Sequence, residues 1–188
     1  MSSGVLQAER MHLAGLLEAI QRCVYFLNAS DKKLSWPLTA TYLEQNKKNI
    51  DLFESLAAIN ERFAKLQDTL GAAMRHSLLL SGESGETFLK VLAFYEKTGV
   101  IDSVSSWQLC RTTRNLAAHD YGTDYAEVAE HFNALHTLIP TLYGDASRFV
   151  EYCQTALDAH PLGMDFASDF AAIVRDCIEP GGDPTCAV

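Results

Sequence analysis

A short segment from Cys110 to Gly122 contains the residues of this chain that are best suited to chemistry. Arg114 provides a permanent positive charge, and His119 and Tyr121 add an imidazole and a phenol within the same eight residues. An arginine can neutralise charge on a phosphate group, and an imidazole can accept or donate a proton near neutral pH. The segment therefore predicts a site for phosphodiester chemistry on a helix that ends at Gly122.

The spacing of the segment indicates how its side chains would be arranged. Asn115 and His119 lie four residues apart and share one face of a helix. Arg114 lies about 100° around the helix axis from Asn115 and can reach the same site through its long side chain. His119 falls in the predicted last turn, where the helix dipole favours the imidazolium form. We predict Arg114 and His119 as catalytic residues and Asn115 as a supporting or binding group. Arg111, one turn earlier, either extends the basic site or is a solvated helix arginine.

Helical periodicity dominates the rest of the chain, and we find no convincing alternating strand pattern. The predicted helices are about 4–29, a long helical region from Thr39 to Ser81, 88–98, the motif helix at about 103–121, a helix from Asp124 to Leu157 that is kinked or restarted at Pro140, and a short helix at about 165–178. We expect an all-α, antiparallel up-and-down bundle of four to five main helices over residues 1–160. An acidic C-terminal extension with one short helix would follow over residues 161–188.

Composition limits the range of functions. The chain has 188 residues, a size typical of one domain, and a net charge of −9. Residues 144–188 carry −6 of that charge, which disfavours a broad nonspecific nucleic-acid surface but leaves room for a small site with one or two arginines. The five cysteines are scattered singly, and we find neither a secretion signal nor an apolar run long enough for a membrane span. We expect a cytoplasmic protein without membrane contact.

The pattern Arg-x-x-x-x-His-x-Tyr, with Asn115 directly after the arginine, resembles the HEPN superfamily and specifically the HepT-like toxins of bacterial and archaeal toxin–antitoxin pairs. The resemblance spans roughly residues 8–157 and includes a helical bundle with the motif near the end of its penultimate major helix. It implies a metal-independent ribonuclease, without a cofactor, whose active site forms at the two-fold interface of a homodimer. RNA carries its own nucleophile in the 2′-hydroxyl, so Arg114 would clamp the phosphate and His119 would act as acid or base.

Tyr121 has a separate meaning under the same resemblance. HepT-like toxins are neutralised by a partner nucleotidyltransferase of the MNT type, an antitoxin that transfers AMP to the tyrosine two places after the histidine. AMPylation of Tyr121 would place an anionic, bulky group beside the predicted site and block RNA. The resemblance therefore implies three partners for this chain, namely a second copy, the antitoxin and an RNA substrate.

Other interpretations remain open from the sequence. The chain could be a non-catalytic helical module that binds a nucleotidyltransferase or a nucleotide, or a purely structural bundle in which Arg114 is a surface residue, His119 a helix cap and Tyr121 a core-edge aromatic. Glu127 and His131 have a spacing that can bind a metal, but without a third ligand they indicate an exposed helix face, and we predict no metal. His12 and His76 have no identifiable partner. The cysteines are interpreted as small core or surface residues, and only Cys110 is close to arginines that could favour a thiolate.

Overall fold

The computed structural model describes residues 3–83, 87–116 and 124–178, and all regular secondary structure in these ranges is α-helical. The helices are α1 (Ser3–Asp31), α2 (Ala40–Gln45), α3 (Ile50–Leu80), α4 (Phe88–Lys97), α5 (Val104–Leu116), α6 (Tyr125–Leu157) and α7 (Ala167–Ile178). The all-α bundle predicted from the sequence is confirmed for the described part of the chain. None of these helices combines the length and apolarity needed to cross a membrane.

The long helices α1 and α3 pack along each other and form the centre of the bundle. Each presents an apolar stripe with three- and four-residue spacing, as predicted. The fully buried members of the two stripes are Leu13, Leu17, Ile20, Val24, Leu27, Ile59, Phe63, Leu66, Leu70 and Ala73. Burying one large apolar side chain stabilises a fold by about 1.5–3 kcal/mol, so these two stripes provide much of the driving force for folding.

The prediction of one long helical region from Thr39 to Ser81 is wrong, because the chain forms two helices there. The side chain of Asn46 at the end of α2 donates a hydrogen bond of 2.9 Å to the carbonyl oxygen of Tyr42. The side chain of Asn49 then accepts a hydrogen bond of 3.1 Å from the backbone N–H of Leu52 and caps the start of α3. Asparagine side chains satisfy free backbone groups at helix ends, which favours a break at this position over a continuous helix.

Helix α6 continues through Pro140 without interruption, so no domain boundary falls at this proline. The side chain of Asp124 accepts hydrogen bonds from the backbone N–H groups of Ala126 and Glu127, at 2.8 and 3.4 Å. This cap confirms the predicted start of the helix. The apolar face of α6 continues on both sides of Pro140 through Leu135, Leu142 and Phe149, which all lie in the main core.

Trp36 fixes the loop between α1 and α2. The indole N–H donates a hydrogen bond of 3.2 Å to the carbonyl oxygen of Asp31, and the ring stacks on His136 of α6 at 4.3 Å between centroids. His136 also contacts the carboxylate of Asp31, at 2.8 Å. Trp36 packs against both apolar clusters of the protein and joins the loop to the core.

The predicted short helix near the C-terminal end is present as α7. It packs against α1 and α6, and it buries Phe170, Ile173 and Val174 in the same hydrophobic cluster as the α1 stripe. The connection that precedes it also contacts α1, since the backbone N–H of Leu162 donates to the carbonyl oxygen of Ala14 at 3.1 Å. Helix α7 is therefore part of the packed bundle.

Candidate functional site

Helix α5 carries the described part of the motif, and its start is closely fixed. Ser103 accepts a hydrogen bond from the backbone N–H of Ser106 at 2.9 Å, and the hydroxyl of Ser106 accepts one from the backbone N–H of Ser103 at 3.2 Å. This reciprocal pair is a helix cap, in which each serine satisfies a backbone N–H that lacks a helical partner. Ser103 is therefore the cap of α5.

An ion cluster around the buried side chain of Asp145 joins the residues before α5 to α6. Arg148 contacts the carboxylates of Asp102 and Asp145, at 2.7 and 2.6 Å, and donates a hydrogen bond of 2.9 Å to the carbonyl oxygen of Val100. The backbone N–H of Asp102 donates to Asp145 at 3.3 Å. Burial raises the pKa of Asp145 to about 7, although the charge of Arg148 acts in the opposite direction.

The inner face of α5 packs on α3 and so fixes which residues face outward. Trp107 and Cys110 are buried in the main core, and the side chain of Gln67 donates a hydrogen bond of 2.9 Å to the carbonyl oxygen of Trp107. Burial raises the pKa of Cys110 to about 12, which keeps the thiol neutral. Cys110 is therefore a packed core residue, and its thiol is not activated by the nearby arginines.

Arg114 is held against α3 by two of its guanidinium nitrogens. Nη1 donates a hydrogen bond of 2.8 Å to the carbonyl oxygen of Ala64, and Nη2 lies 2.8 Å from a carboxylate oxygen of Asp68. The Arg114 side chain is only 12% exposed, and its buried Nε has no partner among the described residues. Since Asp68 is 65% exposed, an incoming anion could displace this carboxylate. The sequence did not indicate that Arg114 has a structural role.

The other predicted site residues divide into three groups. Arg111 is exposed and lines the same cleft as Arg114, so the structure brings these two arginines together. Asn115 is exposed and is not part of the cleft wall. His119 and Tyr121 lie outside the described residues. The convergence of Arg114 and His119 on one pocket therefore stays a prediction.

The cleft between α1, α3, α4 and α5 has a volume of about 420 Å³, within the range of small-molecule sites. Polar residues form one part of its wall, namely His12, Gln67, Asp68, Arg75, His76, Arg111 and Arg114. Apolar groups of Leu79, Phe88 and Trp107 form another part. Three arginines face a single carboxylate in this wall. The cleft is thus locally positive on a chain whose net charge is −9.

Two histidines from distant parts of the sequence meet at the edge of this cleft. The rings of His12 and His76 are 4.7 Å apart between centroids in an edge-to-face arrangement. Nε2 of His76 lies 2.9 Å from the carbonyl oxygen of Glu9 and 3.4 Å from its carboxylate. Because a carbonyl oxygen only accepts hydrogen bonds, this nitrogen carries the proton. Sequence reasoning found no partner for either histidine, since the two lie on different helices.

The described residues contain no group of three or more histidine, cysteine or acidic side chains that could hold a metal ion. His131, the residue with metal-ligand spacing to Glu127, has both ring nitrogens buried without hydrogen-bond partners. Burial lowers the pKa of His131 and favours the neutral ring. Its closest aromatic contact is Phe132, at 5.0 Å between ring centroids. The surroundings of His131 are those of a packed side chain.

Comparisons with protein families, with curated proteins and with solved structures gave no match for this chain. The candidate site therefore has to be interpreted from its own residues and geometry.

Proposed function

We propose that this chain is a HepT-like ribonuclease toxin that cleaves RNA without a metal at a site formed by the motif segment. The observation that supports this proposal best is the position of Arg111 and Arg114, which project from the motif helix into one positively charged cleft. RNA supplies its own nucleophile, so a cation for the phosphate and a proton donor or acceptor are sufficient for cleavage. In the proposal Arg114 binds the scissile phosphate and His119 transfers the proton, with Asn115 in a supporting role.

The proposal includes the assembly implied by the family resemblance. Two copies would pair so that their motif helices face each other, which doubles the local positive charge and concentrates RNA binding in one cleft. A nucleotidyltransferase antitoxin would add AMP to Tyr121 and block the site with a bulky anion. Intact mass measured with and without that partner tests this part, because an added nucleotide should be absent from Tyr121→Phe.

The central test is RNA cleavage by purified protein together with growth arrest on expression. Wild type should cleave RNA and arrest growth, and His119→Ala should lose both effects. His160→Ala is a matched control, because His160 is an exposed histidine outside the cleft. Arg114→Ala should also be inactive, and Arg114→Lys separates the need for charge from the need for a guanidinium group. Equal toxicity of wild type, His119→Ala and Arg114→Ala would refute the mechanism.

A second function is favoured by the contacts of Arg114. Two of its nitrogens are already bound to Ala64 and Asp68, which is the arrangement of a structural arginine rather than of one free to bind a phosphate. Under this alternative the chain is a non-catalytic helical module that binds a nucleotidyltransferase or a nucleotide. It predicts a stable complex with the partner and no cleavage by pure protein. Cleavage that depends on His119 would exclude it.

A further inference from the structure

Three basic residues of the positively charged cleft are outside the motif and have no role in the proposed ribonuclease mechanism. They are His12 of α1 and the neighbouring pair Arg75 and His76 of α3. Both His12 and Arg75 are exposed, so their polar groups are open to a ligand. They line the cleft together with Arg111 and Arg114 of α5, so three of the four helices around the cleft contribute basic side chains.

The charges in the cleft favour an anion. Arg75 and Arg111 are exposed and have no carboxylate partner among the described residues, whereas the charge of Arg114 is partly neutralised by Asp68. Asp68 is the one carboxylate in the cleft wall. Phosphate groups are recognised by guanidinium groups through paired, charge-assisted hydrogen bonds, and arginine suits this geometry better than lysine.

The histidine pair adds donors at the α1 side of the cleft. Nε2 of His76 is used by the carbonyl oxygen of Glu9, which fixes the ring. The Glu9 carboxylate also lies 3.4 Å from the same nitrogen. His12 is exposed beside this ring and can donate a hydrogen bond to an anion directly.

An apolar surface lies next to these charges. Leu79 is 56% exposed, and Phe88 contributes a partly buried ring over which the guanidinium carbon of Arg75 sits at 5.3 Å from the ring centroid. Phe88 lies close to α3 at Gly71, where a Cβ atom would be only 3.1 Å from the Phe88 ring, so a larger residue at position 71 would require the ring to shift. A ligand with an anionic group and a flat apolar group would match both parts of the wall.

We propose that the cleft between α1, α3, α4 and α5 binds the phosphate ester of a nucleotide, either free or within RNA. The phosphate would contact Arg75 and Arg111, with His12 at its edge, and the base would lie against Leu79 and Phe88. This inference deepens the second function above, the module that binds a nucleotide, because it names the cleft and the residues that would contact the phosphate and the base, and it does not require cleavage. A chain that binds phosphate esters but cuts no RNA would support this inference and refute the ribonuclease function.

Isothermal titration of the full chain with pyrophosphate, AMP and adenosine tests the proposal. Pyrophosphate and AMP should bind, and adenosine should bind at least tenfold more weakly than AMP, a difference of about 1.4 kcal/mol. Failure of both phosphate ligands to bind folded wild type would overturn the proposal. Adenosine binding as tight as that of AMP would overturn it too.

Four variants locate the binding site. Arg75→Gln and Arg111→Gln should each weaken pyrophosphate binding roughly tenfold, the effect of losing one charge-assisted hydrogen bond. Arg175→Gln is the matched control, since Arg175 is an exposed arginine of α7 outside the cleft, and its affinity should equal that of wild type. Asp68→Asn should bind pyrophosphate more tightly because it removes the competing carboxylate. Unchanged affinity in both Arg75→Gln and Arg111→Gln, with both proteins folded, would place the phosphate elsewhere and refute the assignment.

Competition distinguishes the two sources of the phosphate ester. If a short RNA displaces pyrophosphate at a lower nucleotide concentration than AMP, the phosphate belongs to RNA, and the reverse order assigns it to a free nucleotide. Both orders support the cleft as the binding site, provided that the stronger competitor binds Arg75→Gln more weakly than it binds wild type. Cleavage of the same RNA is recorded separately, so a failure of the ribonuclease function is not mistaken for a failure of phosphate binding.

Discussion

Replacing Arg114 with alanine is expected to lower the free energy of unfolding by about 2 kcal/mol, whether or not the residue is catalytic. The hydrogen bond from Nη1 to the carbonyl oxygen of Ala64 involves a charged donor and a side chain that is only 12% exposed. Hydrogen bonds to charged groups contribute about 1.5–3 kcal/mol. The ion pair with Asp68 adds at most about 1 kcal/mol, because Asp68 is 65% exposed.

Two further features place the expected loss of stability in Arg114→Ala near the lower end of about 1.5–3 kcal/mol. Ala64 lies inside α3, where its carbonyl oxygen also has a helical backbone partner, so loss of Arg114 leaves no bare acceptor. Removing Arg114 also removes its buried Nε, which has no partner among the described residues. For a chain of this size, about 2 kcal/mol corresponds to a decrease in Tm of roughly 4–8 °C.

Thermal and urea unfolding of Arg114→Ala and Arg111→Ala provide the assay. Arg111 lies on the same helix but is exposed, so its replacement should change stability by no more than about 0.5 kcal/mol. Equal stability of the two variants would refute the structural role of Arg114. The result also decides how activity data are interpreted, because a less toxic Arg114→Ala could simply be less folded. Arg114→Lys and His119→Ala are therefore needed beside it.

Two other perturbations test the packing of the core and the buried carboxyl group of Asp145. Leu17 has no exposed surface, so Leu17→Ala should lower the free energy of unfolding by about 2–5 kcal/mol in urea titrations. Leu109 is 55% exposed, so the control Leu109→Ala should change this free energy by less than about 0.5 kcal/mol. Similar values for both variants would contradict the core assignment. Burial raises the pKa of Asp145 from 3.8 to about 7, so the folded protein retains a proton that the unfolded chain loses at lower pH. As the pH rises from about 4 to about 7, wild type should therefore lose up to roughly 4 kcal/mol of stability relative to Asp145→Asn. If the stabilities of the two proteins change in parallel with pH, this prediction is wrong.

Much of the helical architecture could be predicted because it depends on local patterns. The apolar stripes of α1, α3 and α6 have a period that matches a helix and no other regular element, and their members are buried as expected. Asp124 was recognisable as the start of α6 because a short polar side chain satisfies the free N–H groups at a helix start. The break between α2 and α3 was missed, since apolar periodicity resumes soon after it and hides the two asparagine caps.

The amino-acid sequence by itself determined the all-α class, most helix positions, and the placement of Arg111 and Arg114 one turn apart on one helix, because each of these follows from neighbours in the chain. Tertiary structure alone decided that Arg114 is bound to Ala64 and Asp68, and that His12, Arg75 and His76 join it in one cleft. The physical reason is that helix packing brings together residues separated by several dozen positions. Spacing along the chain contains no record of that proximity.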